Sequence, residues 1–163
     1  MSLPAFVKAL YGNKYRPAAL RQIMLPDGTT AIGAAVTAGN NPAWGAWVDV
    51  ALLAAVTTDT LVVGISIDAP SATAIYTIDI GSCAGYATAA ALNAVPAAII
   101  AAHRAEVRFH YLIVGAAGYA SHPVIMLAAP VWIPSGVGIL ARGMTVAGAE
   151  TINVSAICLQ NFS

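Results

Sequence analysis

The residues best suited to covalent chemistry are the string Gly81-Ser82-Cys83-Ala84-Gly85, a Gly-x-Cys-x-Gly that follows an apolar run. In α/β-hydrolases such a string forms a strained turn between a strand and a helix, and the turn presents the nucleophile to a histidine base. His103, His110 and His122 are the candidate bases. The chain lacks the alternation of strands and helices that this fold requires, so a glycine-lined loop is the favoured interpretation and a Cys83 hydrolase the alternative.

The groups that could bind a metal ion or a phosphate lack the spacing that such sites need. The three histidines match no compact zinc signature, and neither Cys83 nor Cys158 has a second ligand at the usual separation. The recurring aspartates lack the alternation of oxygen ligands that forms a calcium loop. No glycine-rich phosphate motif is present. We therefore expect no metal and no cofactor, and we expect both cysteines to be reduced and buried.

Arg104, Glu106 and Arg108 form a dense cluster of charge in an otherwise charge-poor sequence. On a strand, residues two apart share a face, so these three side chains would form a plus-minus-plus row. Two interpretations stay open for this row. It is either a solvated strand face or a row of ion pairs between subunits.

The composition excludes several classes of protein. Of the 163 residues, 59% are hydrophobic and only 9% are charged, with 7 basic and 7 acidic residues, against about a quarter charged in ordinary soluble domains. Intrinsic disorder is excluded by this apolar content. The long charge-free runs are interrupted by proline and glycine, which argues against a membrane-spanning helix, and no signal peptide is visible. A pI near 6.8 without a basic stripe argues against binding to nucleic acid.

Hydrophobic residues alternate with a period of two along most of the chain, which predicts strands. The candidate strands are Thr30–Thr37, Ala46–Thr57, Leu61–Ile67, Ala74–Ile80, Glu106–Val114, Pro123–Ile133, Val137–Arg142 and Thr151–Leu159. The second and third would form a hairpin, Pro130 indicates an edge or a bulge, and the stretch 87–102 holds at most a short helix. The predicted fold class is all-β, an antiparallel β-sandwich of about eight strands that is jelly-roll-like and has an extended N-terminal arm.

We predict two regions, an N-terminal arm over residues 1–26 and a β-sandwich domain over residues 27–163. The arm interleaves aromatic residues with four positive charges, and we expect it to contact a neighbouring chain. Trp, Tyr and Arg are favoured at interfaces. The predicted interface residues are Tyr11, Tyr15 and Arg16 in the arm, Trp44, Trp47 and Trp132 as anchors, and the charged row Arg104, Glu106 and Arg108.

Four stretches together resemble a known family. They are a turn-rich entry PDGTTAIGAAVTAG, the strand YTIDIG followed by a loop of small residues, the strand ending PVWIPSGVGILARG, and the closing AETINVSAICL. In style and order of strands, roughly the last two-thirds of the chain is similar to the small β-sandwich decoration or cement proteins on virions of tailed bacteriophages. The resemblance contains no catalytic motif.

The resemblance implies a non-enzymatic structural component of the virion that stabilises the capsid through contacts between subunits. Implied partners are further copies of the chain, as a homo-oligomer and often a trimer in such roles, and the major capsid or neck protein. The location implied is the virion, assembled in the host cytoplasm. A neck or tail protein, or a receptor-binding module at a fibre tip, is the alternative within the same setting.

The zero net charge conceals an uneven distribution along the chain. Lys8, Lys14, Arg16 and Arg21 give residues 1–26 a charge of +4, and the remaining three arginines against all seven acids give −4 for residues 27–163. A cationic arm and an anionic body would attract each other between neighbouring copies. We therefore expect assembly to weaken as the salt concentration rises.

Overall fold

The computed structural model describes residues 21–26, 33–72, 74–82, 85–94, 104–111, 124–146 and 148–160, with only the backbone described for 104–111. These residues form an all-β fold, as the alternating hydrophobicity predicts. The strands are β1 (Arg21–Leu25), β2 (Ala34–Asn40), β3 (Val48–Ala51), β4 (Thr60–Asp68), β5 (Ala74–Gly81), β6 (Arg104–Tyr111), β7 (Val124–Ile133), β8 (Ile139–Thr145) and β9 (Thr151–Gln160). A 3-10 helix covers Leu53–Ala55, and one short helix, α1, covers Ala89–Asn93.

The strands form one hydrogen-bonded array with two halves. In the β9 half, β9 pairs with β4 along one edge and with β1 and then β2 along the other, and β7 pairs with the far side of β4. In the β8 half, β8 pairs with β5 along one edge and with β3 and β2 along the other, and β6 pairs with the far side of β5. The end strands β6 and β7 also approach each other.

Strand β2 joins the two halves. Its residues Ala34–Thr37 pair with β9, and its residues Ala38–Asn40 pair with β8. The pairing with β9 is antiparallel, whereas the pairing with β8 is parallel. The prediction of purely antiparallel pairing is therefore wrong at this position, because a strand that passes from one half to the other meets β8 running in its own direction.

One apolar core is shared by the two halves. In the β9 half, alternate residues of β9 and β4, among them Val154, Cys158 and Ile65, point into it. In the β8 half, Tyr76, Ile78 and Ile80 of β5 and Ile139 and Ala141 of β8 belong to the same cluster. Burying this many branched apolar side chains is the main favourable contribution to folding.

The strand predicted over Ala46–Thr57 is the main error of the sequence interpretation. The observed β3 ends at Ala51 with a register shift between Asp49 and Ala51, and the 3-10 helix follows. The predicted hairpin with the next strand is also wrong, since β3 pairs with β8 whereas β4 pairs with β7 and β9. Hydrophobic residues continue to alternate beyond Ala51 in the sequence. In the structure, however, the strand is interrupted by the bulge, and the residues that follow are no longer part of the sheet.

Most other strand predictions agree with the structure to within a few residues. The irregularity predicted around Pro130 is present, since the register between β7 and β4 shifts between the Val62 and Gly64 pairs. At the N-terminus, the strand β1 lies inside the region 1–26 that was assigned to the arm and pairs with β9 of its own chain. Among the described helices, none has the length and apolar character needed to cross a bilayer.

Candidate interaction surfaces

A buried ion pair lies on the outer face of the β8 half. Arg142 of β8 and Asp79 of β5 are directly opposite each other in the antiparallel register. The guanidinium donates hydrogen bonds from Nε at 3.2 Å and from Nη2 at 3.0 Å to Oδ2 of Asp79, whose side chain is 0% exposed. Burying a carboxylate without a neighbouring cation costs free energy. Arg142 therefore stabilises Asp79 in its buried position.

Two tryptophans cover the same arginine. The guanidinium carbon lies 4.7 Å from the ring centroid of Trp44 and 4.3 Å from that of Trp47. Both distances are within the range of a cation–π interaction, which strengthens when water is excluded. The arrangement therefore holds one cation between an acid and two indole rings, and it fixes the positions of both rings relative to the sheet.

The tryptophans belong to the loop between β2 and β3, which is attached closely to β8. The backbone N–H of Asn41 donates to the carbonyl of Thr145, and that of Gly45 donates to the carbonyl of Gly143, both at 2.8 Å. A Cβ at position 45 would lie 2.1 Å from the carbonyl oxygen of Thr37, so only glycine fits there. This close approach brings Trp44 and Trp47 over Arg142.

Helix α1 packs on the other side of Trp47. The side chain of Asn93 accepts a hydrogen bond from the Trp47 backbone N–H and donates one to its carbonyl, at 3.0 and 2.8 Å. At the start of the helix, Asp49 accepts from the backbone N–H of Ala89 at 2.8 Å, and the Thr88 side chain caps Ala91. Trp47 is 5% exposed and packs with Leu140 and α1. Its packing role is observed, and its role at an interface stays a prediction.

The predicted charged row lies beside the ion pair. Arg104, Glu106 and Arg108 occupy alternate positions of β6, opposite Gly81, Asp79 and Thr77 of β5. The register thus places Arg142, Asp79 and Glu106 in one line across three neighbouring strands. Charge is concentrated in this part of the sheet, although the chain is poor in charge elsewhere. The interface role of the row stays a prediction.

The outer face of the β9 half has the opposite character, since it exposes large apolar side chains on β1 and β7, whereas Ile157 and Leu159 of β9 and Leu61 of β4 are buried. We call it the apolar face and define it by Met24 of β1, Ile157 of β9, Gly64 of β4, and Val124, Met126 and Trp132 of β7. Exposure reaches 57% for Met126, 54% for Val124, and 38% for both Met24 and Trp132. Clusters of exposed apolar residues of this kind mark surfaces that bind a partner.

One row of the apolar face runs beside a shallow hollow. The register aligns Met24, Ile157, Gly64 and Met126 across four strands. Gly64 has no side chain, and the sulfur of Met126 lies over it, 3.2 Å from where a Cβ would be. The hollow has a volume of about 450 Å³ and is lined by Gln22, Ile23, Met24, Ser66, Val124 and Ile157.

A smaller apolar hollow lies on the β8 half, away from the Arg142 cluster. Its volume is about 180 Å³, and it is lined by Asn41, Ile75, Thr77, Met144, Thr145 and Val146. Ile75 and Val146 are exposed. We call the residues that line it the comparison surface. Like the apolar face it exposes apolar side chains, but it lies on the other half of the array.

Several predicted residues lie outside the described part of the chain. These are Tyr11, Tyr15 and Arg16 of the arm, together with Cys83, His103 and His122 of the hydrolase alternative. Cys158 is a free cysteine in the core, and burial raises the pKa of its thiol to about 12. Of the three predicted tryptophan anchors, Trp132 lies on the apolar face, Trp44 is half-buried over Arg142, and Trp47 is buried.

The sequence interpretation did not single out Arg142, Asp79, Met24 or Met126. A signal was present for the ion pair, because each partner is the single charge inside an otherwise apolar strand, and such charges are rarely buried unless they are paired. For Met126, the alternation within β7 placed it with Val124 on one face.

Within the described residues, no group of three or more His, Cys, Asp or Glu side chains is arranged to hold a metal ion. In the comparisons with known proteins, no family model, no curated protein and no solved structure matches this chain.

Proposed function

We propose that the chain is a non-enzymatic structural component of a tailed-bacteriophage virion, a decoration or cement protein that stabilises the capsid through contacts between subunits. The observation that carries the proposal is the apolar face, with Met24 exposed on β1 and Val124, Met126 and Trp132 exposed on β7. A protein this poor in charge is poorly protected against association, so such a face is best explained by a permanent partner.

The proposed fold within this function is a jelly-roll-like β-sandwich with an N-terminal arm. Support comes from the single core cluster that contains residues of both halves of the array. Sandwiches of this kind present two broad outer faces to neighbours. In this chain one outer face is apolar and the other carries the Arg142 cluster, so the two faces suit different neighbours.

The proposed partners are further copies of the chain, as a trimer, and the major capsid or neck protein. The apolar face is the surface we assign to contacts that persist for the life of the particle. The charged row Arg104, Glu106 and Arg108 of β6 is the surface we assign to orientation of neighbours, because charge patterns select partners more than they add affinity.

The experiment that tests the function is quantitative mass spectrometry of virions purified on a density gradient, from the phage genome that encodes the chain. The expected result is the intact chain at a fixed ratio to the major capsid protein in every particle fraction. Absence of the chain from purified virions, with its presence in the lysate, would overturn the proposal. A nonstructural phage protein measured in the same fractions provides the control for contamination.

A further inference from the structure

Strand β1 is weakly attached to the rest of the array. Among the strands whose side chains are described, it alone has no buried residue, and within it only Ile23 and Leu25 pack against the core. Its five residues pair with β9 and with no other described strand. Elements with few buried apolar contacts open at a lower free energy than core strands do. Of these strands, β1 is therefore the one that detaches most readily.

The edge of β9 that β1 covers needs a strand on it. Residues 156–160, which lie opposite β1, are all buried, so an uncovered edge would expose unpaired backbone groups together with apolar surface. The register sets Ile23 opposite Cys158 and Leu25 opposite Ala156. A detached β1 therefore leaves a site on β9 that fits the same strand from another copy of the chain.

The connection between β1 and β2 is much longer than the gap that it crosses. Along the same edge of β9, β1 ends opposite Ala156 and β2 begins opposite Val154, a separation of about 7 Å. Residues 26–33 join the two strands, and a chain of that length extends over as much as about 30 Å. The connection is thus long enough to place β1 on the β9 of a neighbouring copy while β2 stays in its own.

Gly33 fixes the end of the connection that stays with its own chain. Its φ is +81°, and a Cβ there would lie 2.9 Å from the backbone nitrogen of Val154. Glycine alone fits such a close approach in this conformation. The chain is therefore anchored on its own β9 from Gly33 onward, so an exchange of strands begins N-terminal to this residue.

Exchange keeps the pairing of β1 and adds contacts between copies. The pairing with β9 is the same in the closed and the exchanged arrangement, so its free energy nearly cancels in the comparison. What remains is the apolar surface that neighbouring copies cover on each other, and the exposed side chains Met24 and Met126 supply such surface. Residues 1–26 carry +4 and the rest of the chain −4, so exchange makes this attraction act between copies as well.

We propose that β1 is exchanged between copies, so that the β1 of one copy pairs with the β9 of the next, with Ile23 opposite Cys158. This inference rests on the proposed function, because it names the contact by which copies of the chain hold one another in the particle. Each copy donates one strand and accepts one, a heterologous contact that closes into a ring such as a trimer when the rotation between copies allows it.

Cys158 provides a covalent test, because it lies opposite a different strand on each side of β9. Its partner is Ile23 of β1 on one side and Val62 of β4 on the other, and opposite residues of an antiparallel pair have the Cα separation that a disulfide needs. Full-length Ile23→Cys and Val62→Cys, each combined with Cys83→Ser, are assembled and equilibrated in a glutathione redox buffer. On a non-reducing gel we expect Ile23→Cys to form disulfide-linked dimers and trimers. The matched control Val62→Cys is expected to remain a single chain with an internal disulfide.

Three results would overturn the proposal. They are an internal disulfide alone in Ile23→Cys, no disulfide in Ile23→Cys where Val62→Cys forms one, and a chain that stays monomeric in analytical ultracentrifugation.

Photocrosslinking from position 23 is an independent measurement. Full-length unlabelled protein with p-benzoyl-phenylalanine at position 23 is unfolded and refolded together with ¹⁵N-labelled protein, illuminated, and mapped by mass spectrometry. We expect crosslinks to residues 151–160 of the ¹⁵N chain, whereas the same probe at Val146, on the comparison surface, should give none to that strand of the ¹⁵N chain. Crosslinks from position 23 only within the same chain, or none, would contradict strand exchange.

The virion function is decided separately. If purified virions contain the chain while position 23 is joined only to its own β9, strand exchange fails and the virion function stands. If copies are joined through position 23 while virions lack the chain, strand exchange stands and the virion function fails.

Discussion

Arg142 and Asp79 face each other across β8 and β5, and both hydrogen bonds of the guanidinium end on the same carboxylate oxygen, Oδ2. The acid is fully buried, whereas the arginine keeps a small exposed edge under Trp44 and Trp47. The pair therefore joins two strands of the sheet to the loop that carries both tryptophans. Losing either partner would disturb both connections together.

Replacing Arg142 is expected to cost much more than replacing an exposed arginine. Arg142→Ala leaves the Asp79 carboxylate buried without this cation, and we expect the free energy of unfolding in urea to fall by about 3 kcal/mol. Arg142→Lys keeps the charge but loses the planar fork and the stacking on the indoles, so a loss of about 1 kcal/mol is expected. Arg21→Ala, on exposed β1, should stay within about 0.5 kcal/mol of the original. Equal losses for Arg142→Ala and Arg21→Ala would contradict this account of the pair.

The thiol of Cys158 should make stability depend on pH in alkaline solution. Burial raises its pKa from 9.0 to about 12, so above pH 9 the unfolded chain releases this proton while the folded chain retains it. Stability is thus fully present below pH 9 and is lost as the pH rises toward 12, by roughly 1 kcal/mol at pH 10. Urea unfolding at pH 8 and pH 10 measures this change.

Cys158→Ala is the matched control, because it removes the titrating group while Cys83 and the tyrosines remain. Burial also raises the pKa of Tyr76 above 10.0, so that group contributes equally to both proteins. We expect the variant to be less stable overall but to lose less stability between pH 8 and pH 10. A parallel decline in the two proteins would assign the pH dependence to other groups.

Replacing Gly45 with alanine should lower the free energy of unfolding more than replacing Gly136 does. At Gly45 a Cβ would collide with the carbonyl oxygen of Thr37, and we expect Gly45→Ala to lower the unfolding free energy by about 3 kcal/mol and to displace Trp44 and Trp47. At Gly136 there is open space, but φ is +74°, so Gly136→Ala should cost only about 1 kcal/mol. Tryptophan fluorescence of the folded state should change in the first variant and stay constant in the second.

Self-association should be sensitive to ionic strength. The N-terminal 26 residues carry +4 and the remainder −4, and the screening length falls from about 10 Å in 0.1 M salt to about 3 Å in 1 M salt. We expect sedimentation to show severalfold weaker association in 1 M sodium chloride. The double variant Lys8→Gln, Lys14→Gln should associate more weakly in 0.1 M salt and respond less to added salt. Association that is unaffected by salt in both proteins would leave apolar burial as its sole source.

The sequence predicts the strands well where one face is buried for the whole length of the strand. In β4, β5 and β9 alternate residues enter the core, and in β4 and β9 most residues between them are buried as well, so period two follows the pleat of the strand. It fails between Ala46 and Thr57, where alternation persists but a bulge and a 3-10 helix interrupt the pleat. The partners of β3 also could not be predicted, because pairing depends on how the strands are ordered in space.

The candidate interaction surfaces are also hard to predict from the sequence, because they depend on how the strands are ordered in space. Asp79 and Arg142 are 63 positions apart, and only the register between β5 and β8 brings them together. The row of Met24, Ile157, Gly64 and Met126 draws one residue from each of four strands. Composition indicates that an apolar surface exists, whereas its position follows from the topology.

The path of β2 has a mechanical consequence. Its first four paired residues are hydrogen-bonded to one half of the array and its last three to the other, so separating the halves would break the pairing of β2 on at least one side. The halves are then expected to yield together under load, with amide protons of residues 34–40 among the slowest to exchange.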